Sequence, residues 1–597
     1  MNIEKFYSLS ISKKLARIFP FIFLAIITWI AHFWHFASFG LYEDDHLRVS
    51  TAMGMAGRQV LNFVLNKFLN PSNGGRFLHD GLIFIFSYLG AKLGGLYVTY
   101  WIGYLIILIN VFLFYTLLRR LYSQTLFALM GALAFSLFPA DLTQPFLTHL
   151  LGIQPSLTFL LIAFHCYISS HKSISYILIF ASLLCYEIFY PVFWAAPLFK
   201  NKWDLKLKKE LLRHTLVLIF ILAFMVIVRK LSGESRVSNL NTLWAIRTII
   251  EHMVMGPIMT MSMFLYRPIQ TLLALNKELL VLLPICWIGI SWFLSRQTLS
   301  LLQVKTGLGN SSQYIYLEIP KFFKDIGKLT LLGLILLLLA YPLTLNPSYS
   351  AFSITGKPAR VHTAAILGAS ILCACIGYIL MELANSYRKK RLATIGLAGF
   401  FTLLIGFGLI VQQDYKLSWN YQRAFWTDVI RLCPDMDQGT VILVEGVNTN
   451  RNWLAIRPYF PAMTAALTKI YRFPYRENSP EMFLLKPNWQ TSVALDKGVF
   501  QLDNSNVKLR GFKANRKDYS LVIDSSDVIL LENENGKLVR RVDPLVISNQ
   551  EFSLKNPKMS KLPQLSKGTV YRYLINSTKE NSINYLNLPA RDLRTQP

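Results

Sequence analysis

The sequence predicts a polytopic α-helical membrane protein of about eleven spans, followed by a C-terminal soluble domain of α/β or β-rich character. Three observations carry this. Hydrophobic residues make up 53% of the 597, and the mean hydropathy is +0.38, too apolar for an ordinary soluble chain of this length. Apolar runs of roughly 18 or more residues recur, each long enough to cross about 30 Å of hydrocarbon. Near residue 413 the pattern gives way to short β-like runs separated by turn residues.

The spans fall at roughly 18–39, 96–118, 125–139, 153–169, 174–187, 188–199, 213–230, 279–295, 329–346, 361–383 and 393–412. The first is longer than a signal-peptide core and lacks a small-residue cleavage site, so it reads as a retained signal anchor. Lys13, Lys14 and Arg17 before it put the N-terminus in the cytoplasm. Arg119 and Arg120, the basic segment 200–214, the 296–328 loop with its five Lys/Arg and "RKKR" at 388–391 are assigned to the same side. An odd number of spans then leaves residues 40–95 and the tail from 413 on the outer face of an inner (plasma) membrane. The segment 174–199 is short for two crossings and is expected as two short or re-entrant helices broken near Pro191, which lacks a backbone donor. The stretch 82–95 reads as a helix lying at the outer interface, interrupted by Lys92 and three glycines, and 231–278 as a large outer loop.

The net charge of +28 belongs mostly to the first 412 residues, which hold 35 Lys+Arg against 15 Asp+Glu; the rest holds 26 against 18. Positive loops that orient a membrane protein account for this, and nucleic acid is not implied. Five of the six cysteines lie in apolar segments and none has metal-ligand spacing. The division is therefore 1–412, a membrane module whose first outer loop is about 40–95, and 413–597, an extracytoplasmic domain with β-like runs at 439–447, 519–532 and 537–547.

The chemistry is sought in the acids. "LYEDDHLRVS" places Glu43, Asp44 and Asp45 just beyond the first span. Adjacent carboxylates raise one another's pKa unless a cation, a metal or hydrogen bonds offset the repulsion, which suits a general base or a pair of metal ligands. The plainer reading is an exposed turn whose Asp caps the helix that follows, with Arg48 pairing to Asp44 at helical spacing. The same outer loop carries Arg58, Arg76, His79 and Asp80, and arginines at headgroup depth suit bidentate phosphate binding or simple lipid contact. Asp141 lies in the second outer loop. Glu187 interrupts an apolar segment, where a charge costs on the order of 3 kcal/mol and so faces a cavity or a partner. Arg267 sits in the 231–278 loop, near His252 and a Met-rich stretch.

In order and spacing these features resemble the GT-C superfamily of integral-membrane glycosyltransferases, which includes protein O-mannosyltransferases, the aminoarabinose transferase acting on lipid A, and bacterial enzymes using polyprenyl-phosphate sugars. The resemblance rests on "YEDDHLR", on "GGRFLHDGLIF" in the same loop, on Asp141, and on "CYEIFYPVFW" around Glu187; it covers about the first 200 residues. It implies transfer of a sugar from a polyprenyl-phosphate donor to an acceptor hydroxyl on a lipid, glycan or protein, by single displacement with inversion. Asp44 would be the base and Asp45 would orient the acceptor, with Glu43 an extra acid that leaves the register open by one residue. Asp141 and Glu187 would form a second acidic site on the acceptor side, and Arg58, Arg76, His79 and Arg267 would hold the donor phosphate. Metal use stays open; a divalent cation (Mg or Mn) would fall to Asp44 and Asp45. The alternatives are a glycan polymerase or ligase using a lipid-linked donor and, in a different class, a lipid or glycan transporter or flippase. The latter predicts ionisable groups or broken helices at the bilayer midplane in two related halves.

Overall fold

The computed structural model describes residues 3–557 apart from 70–74, 201–202, 232–241, 306–312, 346–349, 387–388, 447–462, 472–479, 486–493, 497–498, 504–506, 510–519, 536 and 548–549, together with 573–574. Its first part is a helical bundle: α1 (Ile3–Phe33), the short α2 (Val49–Gly54), α3 (Gly57–Leu69), α4 (Phe77–Leu93), α5 (Leu96–Leu121), α6 (Thr125–Ser136), α7 (Leu147–Gly152), α8 (Gln154–Ile168), α9 (Lys172–Cys185), α10 (Leu205–Leu231), α11 (Thr242–Leu273), α12 (Lys277–Lys305), α13 (Gln313–Leu339), α14 (Ile366–Ser386) and α15 (Lys390–Leu432). Eight helices among the described residues are long and apolar enough to cross a membrane. Their outward faces are apolar, as in α10, where Leu212, Leu216, Ile219, Phe220 and Ile227 are exposed. A protein in water would not leave such stripes bare, so the chain has the character of a multi-pass membrane protein.

The segment 172–200 runs along the bundle and back as a hairpin whose outgoing leg is α9. Lys172 at its start and Lys200 at its end both reach Glu210, each at 2.7 Å, and Tyr167 donates to the same carboxylate at 3.0 Å. Between them, two 3₁₀ segments, Glu187–Phe189 and Pro191–Phe199, bring the chain back. α9 ends at Cys185, ahead of Pro191, and Pro191 opens the returning leg. Glu187, at the hairpin tip, meets Arg229 at 3.7 Å. Glu210 and Arg229 are both on α10, nineteen residues apart, or roughly 28 Å at 1.5 Å per residue. The two charge clusters therefore stand about one hydrocarbon thickness apart and mark the two ends of the bundle.

Several boundaries differ from those read in the sequence. The region 231–278, expected as a loop, contains the 32-residue α11, which carries Pro257 and Pro268 and is itself apolar enough to cross a membrane. The 82–95 helix is uninterrupted: α4 runs from Phe77 through Gly90 and Lys92 and stops only at Gly94. The basic 296–328 stretch is largely helix, at the end of α12 and in α13. The division near 413 falls inside α15, a single helix of 43 residues whose second half buries Tyr415, Trp419, Gln422 and Trp426.

Beyond α15 lies a small α/β unit. Parallel strands β1 (Val441–Val444), β2 (Glu481–Leu485) and β7 (Val528–Glu534) form the centre of a five-stranded sheet, in the order β5-β2-β1-β7-β8, with β5 (Val507–Leu509) and β8 (Lys537–Arg540) antiparallel at its edges. β1 and β2 are buried along their whole length, and β1 accordingly reads as a continuous apolar run. Helix α16 (Met463–Tyr471) packs on β2. Strands β3 (Ala494–Asp496), β4 (Val499–Asp503) and β6 (Ser520–Asp524) form an antiparallel sheet, and β9 (Leu545–Ile547) pairs with β10 (Gln550–Phe552). The buried Arg540–Asp435 pair and an Arg540 bond to the Leu432 carbonyl fix this unit to the end of α15.

Candidate functional site

The acidic turn is held from three sides before any of its carboxylates is considered. Gly40 lies flat against Trp419, where a Cβ would come within 1.8 Å of the indole. The Tyr42 hydroxyl donates to the Tyr415 carbonyl at 3.0 Å, and Tyr100 donates to the Gly40 and Pro145 carbonyls. The chain then makes a 3₁₀ turn over Glu43–His46. Glu43 takes φ +41°, a left-handed conformation that costs a non-glycine residue on the order of 1 kcal/mol or more.

The three acids separate completely. Asp45 is fully buried: its oxygens accept the backbone N–H groups of Tyr42 (3.2 Å), Leu147 (3.3 Å) and Thr148 (2.8 Å). It thus closes its own turn and caps α7. The helix that follows the turn, α2, has no side-chain cap. Burial pushes the Asp45 pKa up to about 8, against the pull of these three N–H groups. Asp45 is thus turned inward, with its oxygens on backbone N–H groups. Glu43 is 9% exposed at its side chain and meets Lys357 at 3.2 Å. Asp44 opens outward, with 41% of its side chain exposed, and binds Lys357 at 2.6 Å. Burial opposes its charge, but Lys357, Arg48 and Arg360 outweigh it and hold the Asp44 carboxyl below the usual carboxylate range.

Lys357 and Arg360 are the residues the sequence did not flag. They stand on a nine-residue 3₁₀ segment, Lys357–Ala365, entered through Gly356 at φ +62° and continuing into α14. Runs of 3₁₀ helix this long are uncommon. Arg360 lies 3.1 Å from Nε2 of His149, and Thr363 donates to Asp141 at 3.1 Å. Lys357, Arg360, Arg48 and His79 all act electrostatically on His149. The sequence signal was "GKPARVH", two cations and a histidine directly before an apolar run, 313 residues from Asp44.

The remaining candidates divide. His79, on α4, is buried, with its Nδ1 unpartnered; burial and the cations Arg48 and Arg76 push its pKa well down, so it is neutral. Asp141 accepts from Thr143 N (2.9 Å) and Oγ1 (2.6 Å) as well as from Thr363; burial raises its pKa above the ordinary range against these bonds. It helps line a small cavity with His32, Gln144 and Phe407. Glu187 is closed off by Arg76, whose Nε donates at 2.8 Å and whose Nη2 also bonds it, while the guanidinium stacks on Tyr186 at 4.5 Å. Arg48 pairs with Asp80 at 2.5 Å rather than with Asp44. Arg58 is exposed on α3. Arg267 is fully buried in α11, donating to Gln270 (2.6 Å) and the Ile354 carbonyl (2.5 Å) and lying 4.8 Å from the Phe407 ring. Of the expected phosphate set, Arg76 is engaged by Glu187 and Arg267 is buried, while His79 lies in the field of Arg48, Arg76 and Arg360; Arg48, Lys357 and Arg360 act together on Asp44, with His149 beside Arg360.

A divalent cation does not fit this arrangement. The Lys357 ammonium occupies the point between Glu43 and Asp44, and Asp45 points elsewhere. Among the described residues no group of three His, Cys, Asp or Glu side chains comes together. The site offers one solvent-facing ionised carboxylate beside a cluster of cations, at the Glu187 end of an apolar bundle. No family model, curated protein or solved structure matches this chain.

Proposed function

We propose that this chain is a membrane glycosyltransferase that moves a sugar from a polyprenyl phosphate to an acceptor hydroxyl, at the outer face of an inner membrane, with Asp44 as general base. The single observation that carries the reading is the pairing of a half-exposed, ionised Asp44 with Lys357, in the field of Arg48 and Arg360. Glycosyl transfer from a phosphate needs a base for the entering hydroxyl and cations for the departing phosphate, in one place. The apolar flank of the bundle suits a donor whose tail stays in lipid.

In this reaction Asp44 takes the proton of the acceptor hydroxyl as its oxygen bonds to the anomeric carbon. The bond from that carbon to the phosphate oxygen breaks, and its electron pair leaves with the polyprenyl phosphate. Arg48, Lys357, Arg360 and His149 stabilise that leaving group, which needs charge compensation more than a proton. Displacement on one face inverts the anomeric centre. The N-terminus is then cytoplasmic, and the unit after α15 extracytoplasmic.

The test uses the purified full chain in liposomes with labelled polyprenyl-phosphate sugars and a mixture of envelope lipids as acceptors. The reading predicts label in covalent product together with free polyprenyl phosphate. Movement of labelled donor across the bilayer with no covalent product identifies a transporter instead.

A further inference from the structure

Asp44 presents a difficulty for a simple base. A carboxylate held by an ammonium at 2.6 Å is ionised, but that contact makes it a poor proton acceptor. Lys357 is held twice, on Asp44 and on Glu43 at 3.2 Å, and Glu43 keeps a left-handed backbone while doing so. Its side chain is 18% exposed, and it borders the same space as Arg360 and His149.

We propose that Lys357 is a positioning residue that holds Asp44 in reserve: phosphate draws the ammonium away, Glu43 keeps it tethered nearby, and only then can Asp44 accept a proton. This rests on the glycosyl-transfer reading and adds the order of events: donor first, base second. The charges facing Asp44 favour this sense of change. Lys357 and Arg360 come from the 3₁₀ segment and Arg48 from the start of α2, while Glu43, Asp45 and, on α15, Tyr415 offer no positive charge. His149 on α7 and Asp80 on α4 lie beyond, each taken by an arginine. A bound phosphate satisfies Lys357, Arg360 and Arg48 together and adds its own negative charge, so every change at Asp44 moves towards stronger basicity.

The experiment reads Asp44 itself rather than turnover. A water-soluble carbodiimide with an amine labels protonated carboxyls, and peptide mass spectrometry follows Asp44 labelling across pH. In wild-type protein in nanodiscs, polyprenyl phosphate should raise the labelling midpoint by about one pH unit or more, a tenfold gain in proton affinity. Lys357→Met should show the raised midpoint without lipid and little further change. Lys357→Arg should restore the low midpoint and its response. The same rise with inorganic phosphate alone supports the coupling and assigns it to the phosphate rather than the tail. Lipid that binds, by native mass spectrometry, without moving the wild-type midpoint overturns this inference and leaves glycosyl transfer standing. Lipid that does not bind at all overturns both. The wild-type comparison needs no variant, so a misfolded Lys357→Met does not obscure the answer.

Discussion

Two carboxylate–cation groups stand at the same end of the bundle, and they are built for different ends. Glu187 gives both oxygens to Arg76, has Arg229 close by, and is 18% exposed; the arginine is stacked on Tyr186. Asp44 gives one oxygen to a flexible lysine and leaves 41% of its side chain in the open. A planar guanidinium in two-point contact fixes geometry, whereas an ammonium is a point charge that is easily moved. The difference teaches that a charged residue within an apolar run is no guide to chemistry by itself. The closed pair holds the α9 hairpin tip to the start of α4, and the open pair leaves Asp44 partly facing solvent.

Breaking the closed pair should have the largest effect on stability. Glu187→Gln leaves Arg76 and Arg229 without their counter-ion and should cost roughly 3 kcal/mol, by the usual penalty for uncompensating a buried charge. Thermal unfolding in detergent measures this, and the transfer rate per folded molecule should stay near wild type. Asp141→Ala should come next, at about 2 kcal/mol, because Thr143 and Thr363 lose their common acceptor; the same melting series reads it.

A smaller effect sharpens the open side. The Asp44 pKa is depressed from 3.8, so the stability its pairing contributes is fully present above that value and is lost as pH falls through the lower folded value. The difference in melting temperature between wild type and Asp44→Asn should therefore be smaller at the acid end than at neutral pH, shrinking as pH falls below about 4. Smallest of all is Arg58→Ala. Arg58 is exposed on α3, so both transfer and stability should change by less than about 0.5 kcal/mol. A large loss there would return α3 to the site.

Much of this contrast was legible in the sequence, but not the half that matters most. The acidic turn after the first span and the strand runs at 439–447, 519–532 and 537–547 follow directly from local pattern. So does the odd length of 174–199, which becomes the hairpin anchored at Glu210. Helix α11 was hidden because Arg247, Glu251, His252, Arg267 and two prolines dilute its apolar run; packing buries His252 and Arg267, while Arg247 and Glu251 stay exposed. The boundary at 413 marked where buried apolar surface gives way to polar composition, and a helix does not need to stop there. Lys357 and Arg360 were illegible for a simpler reason: nothing local ties them to an acid 313 positions earlier, and one basic residue at a helix end looks like another. The division of labour among Glu43, Asp44 and Asp45 was equally closed to the sequence, since it depends on which of them meets the N–H groups of Leu147 and Thr148.

The most direct test of the account is the transfer rate of Asp44→Asn, per folded molecule, with labelled polyprenyl-phosphate sugar in nanodiscs. Asparagine keeps the shape and loses the base, so the rate should fall by about a hundredfold or more, the range expected for a general base, with the melting temperature at neutral pH lowered only slightly. Transfer at the wild-type rate by folded Asp44→Asn would contradict the account.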